Sequence, residues 1–229
     1  MALVVITGGT SGIGLGLAER FADKNFEVIV TGRNEDKFLK NRVNPKIRFL
    51  KCDVTNEKEV NFFANSVSLD YKGVEILINN AGLGVVKPIS ETTLEEWNLT
   101  LQTNLTGTFL TTKAFLPLLE NSENSHIFNI NSVAGKVAFP SWASYCASKF
   151  GLTGFTNALR EELRPKKIRV TSVFPGAINT DFWNSVEGDF PREKMMTPED
   201  VFGAIYSAYT THPRALVEEI SIGLAGGVL

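Results

Sequence analysis

Leu3-Val-Val-Ile-Thr-Gly-Gly-Thr-Ser-Gly-Ile-Gly14 decides the fold of this chain. Residues 3–6 are wholly apolar and rich in β-branching, the composition of a parallel strand buried on both faces. Glycines then recur at G-x-x-x-G-x-G spacing over 8–14, and the helix-forming run 15–21 follows. Strand, glycine-rich turn and helix in that order bring backbone N–H groups and a helix N-terminus to where a phosphate can be received. The spacing is not the G-x-G-x-x-G dinucleotide fingerprint, and a glycine turn alone is equally a plain tight turn. Its place between strand and helix favours a phosphate cradle built from Gly8, Thr10, Ser11, Gly12, Ile13 and Gly14.

Outward from this unit the alternation continues. Strands are expected at 27–31, 47–51, 74–79, 125–130, 170–174 and 215–222. Helices are expected at 56–67, 94–120, 144–164 and 199–210. Strands alternating with helices argue one doubly wound α/β domain over 1–229. With 43% hydrophobic and 21% charged residues, the 229-residue chain can bury a sizeable core. A net charge of −2 provides no field for nucleic acid or an anionic membrane. No apolar run approaches the roughly 18 residues that span a bilayer, and a strand beginning at Leu3 leaves no room ahead of it for a signal peptide. Two cysteines, Cys52 and Cys146, are too few for a disulfide framework and read as buried side chains in a reducing cytoplasm. No residue set is assigned to a metal.

The strand ends carry the polar signals, as ligand crevices in such sheets require. The second strand runs into Gly32-Arg33-Asn34. An acidic residue near this place would bind a ribose 2′-OH and an arginine would accommodate a 2′-phosphate; Arg33 follows Gly32 here, or is simply a solvated loop residue. Asp53, beside Val54, either receives an adenine amino group, or caps the helix starting near Asn56, or does both. The fourth strand stops at Asn79-Asn80-Ala81-Gly82. Asn104 lies inside the 94–120 helix, where its side chain competes for backbone hydrogen bonds; it is tolerated by packing, or it marks a kink that frees a carbonyl or holds a water. The basic run Arg164-Pro-Lys-Lys-Ile-Arg169 reads as a solvated helix C-terminus in preference to an acidic-partner site.

Tyr145-Cys-Ala-Ser-Lys149 supplies the chemistry. Four residues apart on a helix, the phenol and the ammonium face the same volume. A free tyrosine titrates near ~10, and a nearby cation is expected to lower that value and make the phenol a usable acid/base. Ser132, at the end of the 125–130 strand, can bring a hydroxyl to the same spot. Phenol, cation and hydroxyl together form a site for moving a proton on or off a carbonyl oxygen.

With these residues in view, the chain resembles the short-chain dehydrogenase/reductase family over essentially its whole length. The matches are Thr7-Gly-x-x-x-Gly-x-Gly14, Asp53, Asn79-Asn-Ala-Gly82, Asn104, Ser132, Tyr145-x-x-x-Lys149, and Pro175-Gly176 with Thr180. The resemblance implies a Rossmann fold with a seven-stranded parallel sheet in order 3-2-1-4-5-6-7, flanked by three helices on each face. It implies Tyr145 as acid/base, Ser132 on the substrate oxygen, Lys149 on Tyr145 and the nicotinamide ribose, and Asn104 holding a relay water. It places the cofactor on the glycine turn, Arg33, Asp53, Val54, Asn80, Ala81, Gly82, Tyr145, Lys149, Pro175, Gly176, Ile178 and Thr180. NADP(H) is expected over NAD(H), with a small-molecule carbonyl or alcohol as substrate.

The expected pocket wall is Val133, Phe139, Trp142 and residues 177–183, suited to an apolar body. The aperiodic stretch 181–197 is expected to be a loop or short helix that closes over a ligand, and between 181 and 194 its acids Asp181, Glu187, Asp189 and Glu193 outnumber its bases Arg192 and Lys194, which argues against an anionic substrate. A homodimer or homotetramer through helices 94–120 and 144–164 is implied, with Phe109, Phe115, Phe150 and Phe155 as surplus apolar surface. Two alternatives stand beside this reading: a 3-oxoacyl-carrier reductase, and a catalytically silent nucleotide sensor on the same scaffold.

Overall fold

The computed structural model of the protein describes residues 2–186, 188–212 and 214–227, so Glu187 lies outside the described residues. Strands β1 (Leu3–Thr7), β2 (Glu27–Gly32), β3 (Arg48–Lys51), β4 (Ile76–Asn79), β5 (His126–Ile130), β6 (Arg169–Pro175) and β7 (Glu219–Ile222) form one sheet in the order β3-β2-β1-β4-β5-β6-β7. Every neighbouring pair is parallel.

Alternation along β1 distributes the core. Val4 and Ile6 face α1 (Gly12–Asp23), α2 (Glu35–Asn41) and α7 (Pro198–Thr210), packing with Leu17, Phe21, Phe38, Phe202 and Ile205. Leu3 and Val5 face the other way, onto Phe63 and Val67 of α3 (Glu57–Asp70), Phe115 and Leu119 of α5 (Gly107–Glu120), and Leu163 of α6 (Ala143–Leu163). A strand buried on both faces must be apolar at every position, which is why residues 3–6 show no polar alternation.

The departures from expectation have local causes. The stretch expected as one helix over 94–120 is α4 (Leu94–Leu101), a π turn (Gln102–Thr106) and α5. The Gly107 N–H donates to Gln102 O, five residues back, and Asn104 sits at the centre of the turn. Helix α2 was not foreseen. It has seven residues and a single buried side chain, Phe38, too little for a periodic signal, and Asn34 caps it by accepting from Lys37 N at 2.8 Å. Strand β7 is four residues rather than the eight expected over 215–222, although Val217 O and Glu218 O still accept from Thr171 Oγ1 and Ser172 N. Helix α3 is capped by Asn56, not by Asp53. Arg169 is also not part of a solvated basic cluster. It is buried in β6, donating to Tyr209 O at 3.1 Å and Asn124 Oδ1 at 2.9 Å. Both cysteines are free and buried.

Candidate active site

The C-terminal ends of β1 and β4 are clasped together. Thr7 Oγ1 accepts from Asn80 N at 3.0 Å and Ala81 N at 3.1 Å, and Asn80 Nδ2 donates to Thr7 O and Gly8 O, each at 3.0 Å. Two glycines make the clasp possible. Gly8 has φ +67°, and a Cβ there would stand 2.7 Å from Ala81 Cα. A Cβ on Gly14 would stand 2.4 Å from both Asn80 Nδ2 and Gly8 O. Helix α1 opens directly onto this turn. Ser11 makes no side-chain cap, and the first turn of α1 holds no acidic residue. Uncapped N–H groups, the positive end of the helix and a backbone stripped of side chains fit a dinucleotide pyrophosphate.

The other expected cofactor residues stand along the same sheet edge. Arg33 follows β2 and makes no hydrogen bond or ion pair with any described residue. Asp53 Oδ1 accepts from Thr55 N at 2.9 Å and Thr55 Oγ1 at 2.8 Å, which organises the corner after β3. Val54 is buried beneath Gly107, and Gly82 lies beside Asn104. Beyond β6, the Gly176 N–H donates to Ile222 O at 2.8 Å, Ile178 is buried in a bridge with Met196, and Thr180 lies 3.4 Å from where a Gly12 Cβ would stand.

Tyr145 and Lys149 meet as the helical spacing requires, and Ser132 hydrogen-bonds the Tyr145 phenol. Lys149 is 5% exposed, its Nζ donating to Ile130 O at 2.9 Å and lying 5.5 Å from the Tyr145 ring centroid. The electrostatics differ from expectation. Burial pushes the Tyr145 phenol up to about 12, hydrogen bonding by Ser132 draws it partly back, and the neighbouring Cys146 thiol adds to the rise. Burial also pushes the Lys149 ammonium down to about 7. Desolvation penalises phenolate and ammonium alike, so among the protein's own groups it outweighs the lowering expected from the cation. The Tyr145 phenol therefore keeps its proton at neutral pH.

Asn104, at the centre of the π turn, is anchored through its side chain. Its Oδ1 accepts from Leu83 N at 2.8 Å, and its Nδ2 donates to Leu83 O at 2.8 Å and Ser148 Oγ at 2.9 Å. Ser148 Oγ in turn donates to Tyr145 O at 2.7 Å. The amide thus ties the start of α6 to the loop after β4.

Aromatic rings enclose the phenol. Trp142 and Phe182 lie 5.4 and 5.8 Å from the Tyr145 ring, and Trp142 lies 6.0 Å from Phe182. Phe182 also presses on Gly84, where a Cβ would stand 2.7 Å from Phe182 Cε2 and 3.3 Å from Tyr145 Cδ2. Trp183 donates from Nε1 to Ile178 O at 2.9 Å and stacks obliquely on Phe190, with centroids 4.6 Å apart. Phe139 packs on Trp142 with ring centroids 6.2 Å apart, and Val133, at the start of the short turn Val133–Gly135, is partly exposed. Sequence reasoning missed Gly84 and Arg192. The Arg192 guanidinium donates to Thr180 O at 2.7 Å, Asn179 Oδ1 at 2.9 Å and Asn184 Oδ1 at 3.1 Å, and so pins the segment that carries Phe182. Contacts between residues twelve apart in an aperiodic stretch leave no sequence pattern. Among the described residues no group of three or more His, Cys, Asp or Glu is arranged to hold a metal, and no helix is long and apolar enough to cross a membrane.

The chain is similar to known proteins over nearly its whole length. The sequence pattern of the family described as short chain dehydrogenase matches residues 2–189. A sepiapterin reductase of Chlorobaculum tepidum is 32% identical over 237 residues, covering 98% of this chain and 97% of its own. An uncharacterised oxidoreductase of Staphylococcus saprophyticus is 30% identical over 226 residues, covering 96% of each. Among solved structures, the closed form of a serine dehydrogenase complexed with NADP+ superposes with a TM-score of 0.85 at 27% identity, covering 96% of this chain and 94% of its own. An alcohol dehydrogenase from the archaeon Thermococcus sibiricus, complexed with 5-hydroxy-NADP, gives 0.87 at 25% identity, with 97% and 96% covered.

Proposed function

Because this chain belongs to the short-chain dehydrogenase family of oxidoreductases, we propose that it is an NADP(H)-dependent enzyme acting on a small to medium, largely apolar carbonyl compound or the corresponding secondary alcohol. The observation that carries this reading is the Tyr145 phenol, held protonated beside Ser132 and Lys149 inside an aromatic enclosure next to an uncapped glycine turn. Bound nicotinamide supplies or accepts the hydride. The protein does the rest. Tyr145 gives its proton to the carbonyl oxygen, Ser132 hydrogen-bonds the same oxygen, and Trp142 and Phe182 exclude water from the transfer. Asn104 acts as a positioning residue through Ser148 and the Tyr145 carbonyl.

The substrate class follows from the wall. Phe139, Trp142, Phe182 and Trp183 offer apolar and aromatic surface, with Ser132 and Tyr145 as the oxygen-directed groups. Arg192 is engaged with the backbone and amides of its own segment, and Lys149 with Ile130 O. A carboxylate would therefore lack a clamp. The test is NADPH oxidation with a panel of carbonyl compounds. kcat/KM is expected to be highest for apolar ketones and aldehydes, and a preference for keto acids or acyl-carrier β-keto esters overturns the assignment. No turnover of any carbonyl, with NADPH still bound, favours the silent sensor.

Arg33 carries the expected coenzyme preference. NADP-bound structures among the relatives support it, as does a guanidinium at the end of β2 with no partner among the described residues. Arg33→Leu is expected to weaken NADPH binding about tenfold to a hundredfold while sparing NADH, since a guanidinium–phosphate pair is a strong charge-assisted contact. Fluorescence titration of both nucleotides decides it, and equal affinities in the unaltered protein refute it. Substitution at Gly32 is a poorer probe, because a Cβ there would stand 2.6 Å from Thr10 Cγ2.

Self-association is proposed through α4, α5 and α6. Leu94 (73%), Leu99 (39%), Phe109 (44%) and Phe150 (45%) are exposed there, whereas Phe115, counted on sequence as surplus surface, is buried against Phe63. Light scattering at micromolar concentration is expected to give the mass of a dimer or tetramer, and a monomeric mass refutes it.

A further inference from the structure

Asp181, at the head of the short 3-10 turn Asp181–Ser185, reaches from the substrate side of the cleft to Lys37 on α2, with Oδ2 3.2 Å from Nζ. The two residues lie on opposite banks of the glycine turn. On one bank, Asn41 of α2 donates from Nδ2 to Thr10 O at 3.1 Å, tying that helix to the turn. On the other, Thr180 lies 3.4 Å from where a Gly12 Cβ would stand, so the segment rests on the start of α1. Thr10, Asn41, Lys37, Asp181, Thr180 and Gly12 thus form a closed ring. A dinucleotide with its pyrophosphate on the turn and its adenosine directed to Arg33 would have to pass through that ring.

The segment's two attachments differ in strength. At its base Arg192 makes three hydrogen bonds, to Asn179, Thr180 and Asn184. On the far bank the ion pair is exposed, with side chains 42% and 62% accessible, and such a pair opens readily. A stiff base with a weak distal fastening is the construction of a strap that opens at one end.

We propose that the Lys37–Asp181 pair is a latch that fastens residues 180–185 over the bound dinucleotide and sets how fast it leaves. The proposal rests on the cradle reading given above. Lys37→Gln and Asp181→Asn each speed dissociation of NADPH and of NADH about twofold to fivefold, the range an exposed ion pair supports. Each also raises amide hydrogen exchange of residues 181–185 by a similar factor in protein without nucleotide. The reversed pair, Lys37→Asp with Asp181→Lys, restores both quantities.

Stopped-flow release rates and exchange measurements on these four proteins constitute the test. Unchanged release in the single variants, or failure of the reversed pair to restore it, overturns the latch. Tighter NADPH binding by Asp181→Asn with NADH unaffected also overturns it, since Asp181 would then only compete with the 2′-phosphate for Lys37. If the unaltered protein binds neither nucleotide, the cradle reading fails by itself. Exchange then decides the fastening: restoration by the reversed pair sustains it, and indifference sinks it.

Discussion

Tyr145→Phe lowers turnover about 10²–10⁴-fold, the typical cost of losing a general acid/base, and leaves NADPH affinity nearly unchanged. The variant removes a single oxygen. The ring keeps its contacts with Trp142 and Phe182, so the enclosure persists. The pH profile adds a second signature. With the phenol pushed up to about 12 by burial, Tyr145 holds its proton throughout the neutral range. Carbonyl reduction, which consumes that proton, therefore does not accelerate between pH 7 and 10. Alcohol oxidation needs the phenolate, whose fraction climbs about tenfold per pH unit below its pKa, so kcat/KM for oxidation rises over the same span. Tyr145→Phe abolishes the rise. A variant retaining more than about a tenth of the rate, or an oxidation profile flat from 7 to 10, contradicts the role.

Gly14→Ala is expected to cost cofactor affinity at least a hundredfold, or about 2.7 kcal/mol, by adding one methyl group. The new Cβ would stand 2.4 Å from Asn80 Nδ2 and from Gly8 O, and neither can retreat cheaply. Asn80 is held by Thr7 O and Gly8 O, and Gly8 O is backbone at a residue already at φ +67°. Relief requires opening the β1–β4 clasp, which also displaces the start of α1. Thermal melting should fall as well, since two buried-side hydrogen bonds of Asn80 are lost together. Isothermal titration with NADPH checks the affinity, and an affinity within threefold of the unaltered protein refutes the assignment of this turn as the cradle.

The sheet and most of the site were legible because they rest on local patterns. Residues 3–6 have the composition of a strand buried on both faces, and the glycines between them and a helix-forming run mark the turn. Tyr145 and Lys149 share a helix, so their meeting is set by the 3.6-residue repeat. What escaped was long-range or collective. Helix α2 buries one side chain, and no periodicity can be read from a single residue. The Asn104 amide finds its partners 21 and 44 residues away, at Leu83 and Ser148. The rise of the Tyr145 phenol comes from burial in the folded chain, while the sequence displayed only the adjacent charge of Lys149. Spacing reports who can meet, and burial decides what their meeting does to a proton.

The π turn at Gln102–Thr106 acts as a phase shifter between two helical rulers. One added residue in a helix advances everything beyond it by about 100° of azimuth and about 1.5 Å of rise. On the near side the ruler is zeroed by the Thr93–Glu96 capping box that starts α4, and on the far side by Phe115 and Leu119 seated in the core. Chain length between these two datum points is therefore not free. With a residue fewer, an uninterrupted α-helix could satisfy the hydrogen bonds of 102–106, but it would carry Asn104 away from Leu83 or rotate Phe115 out of register with Phe63. The mismatch is what holds Asn104 aimed inward: the helix keeps a local irregularity so that its two ends can each stay in step with a different part of the protein.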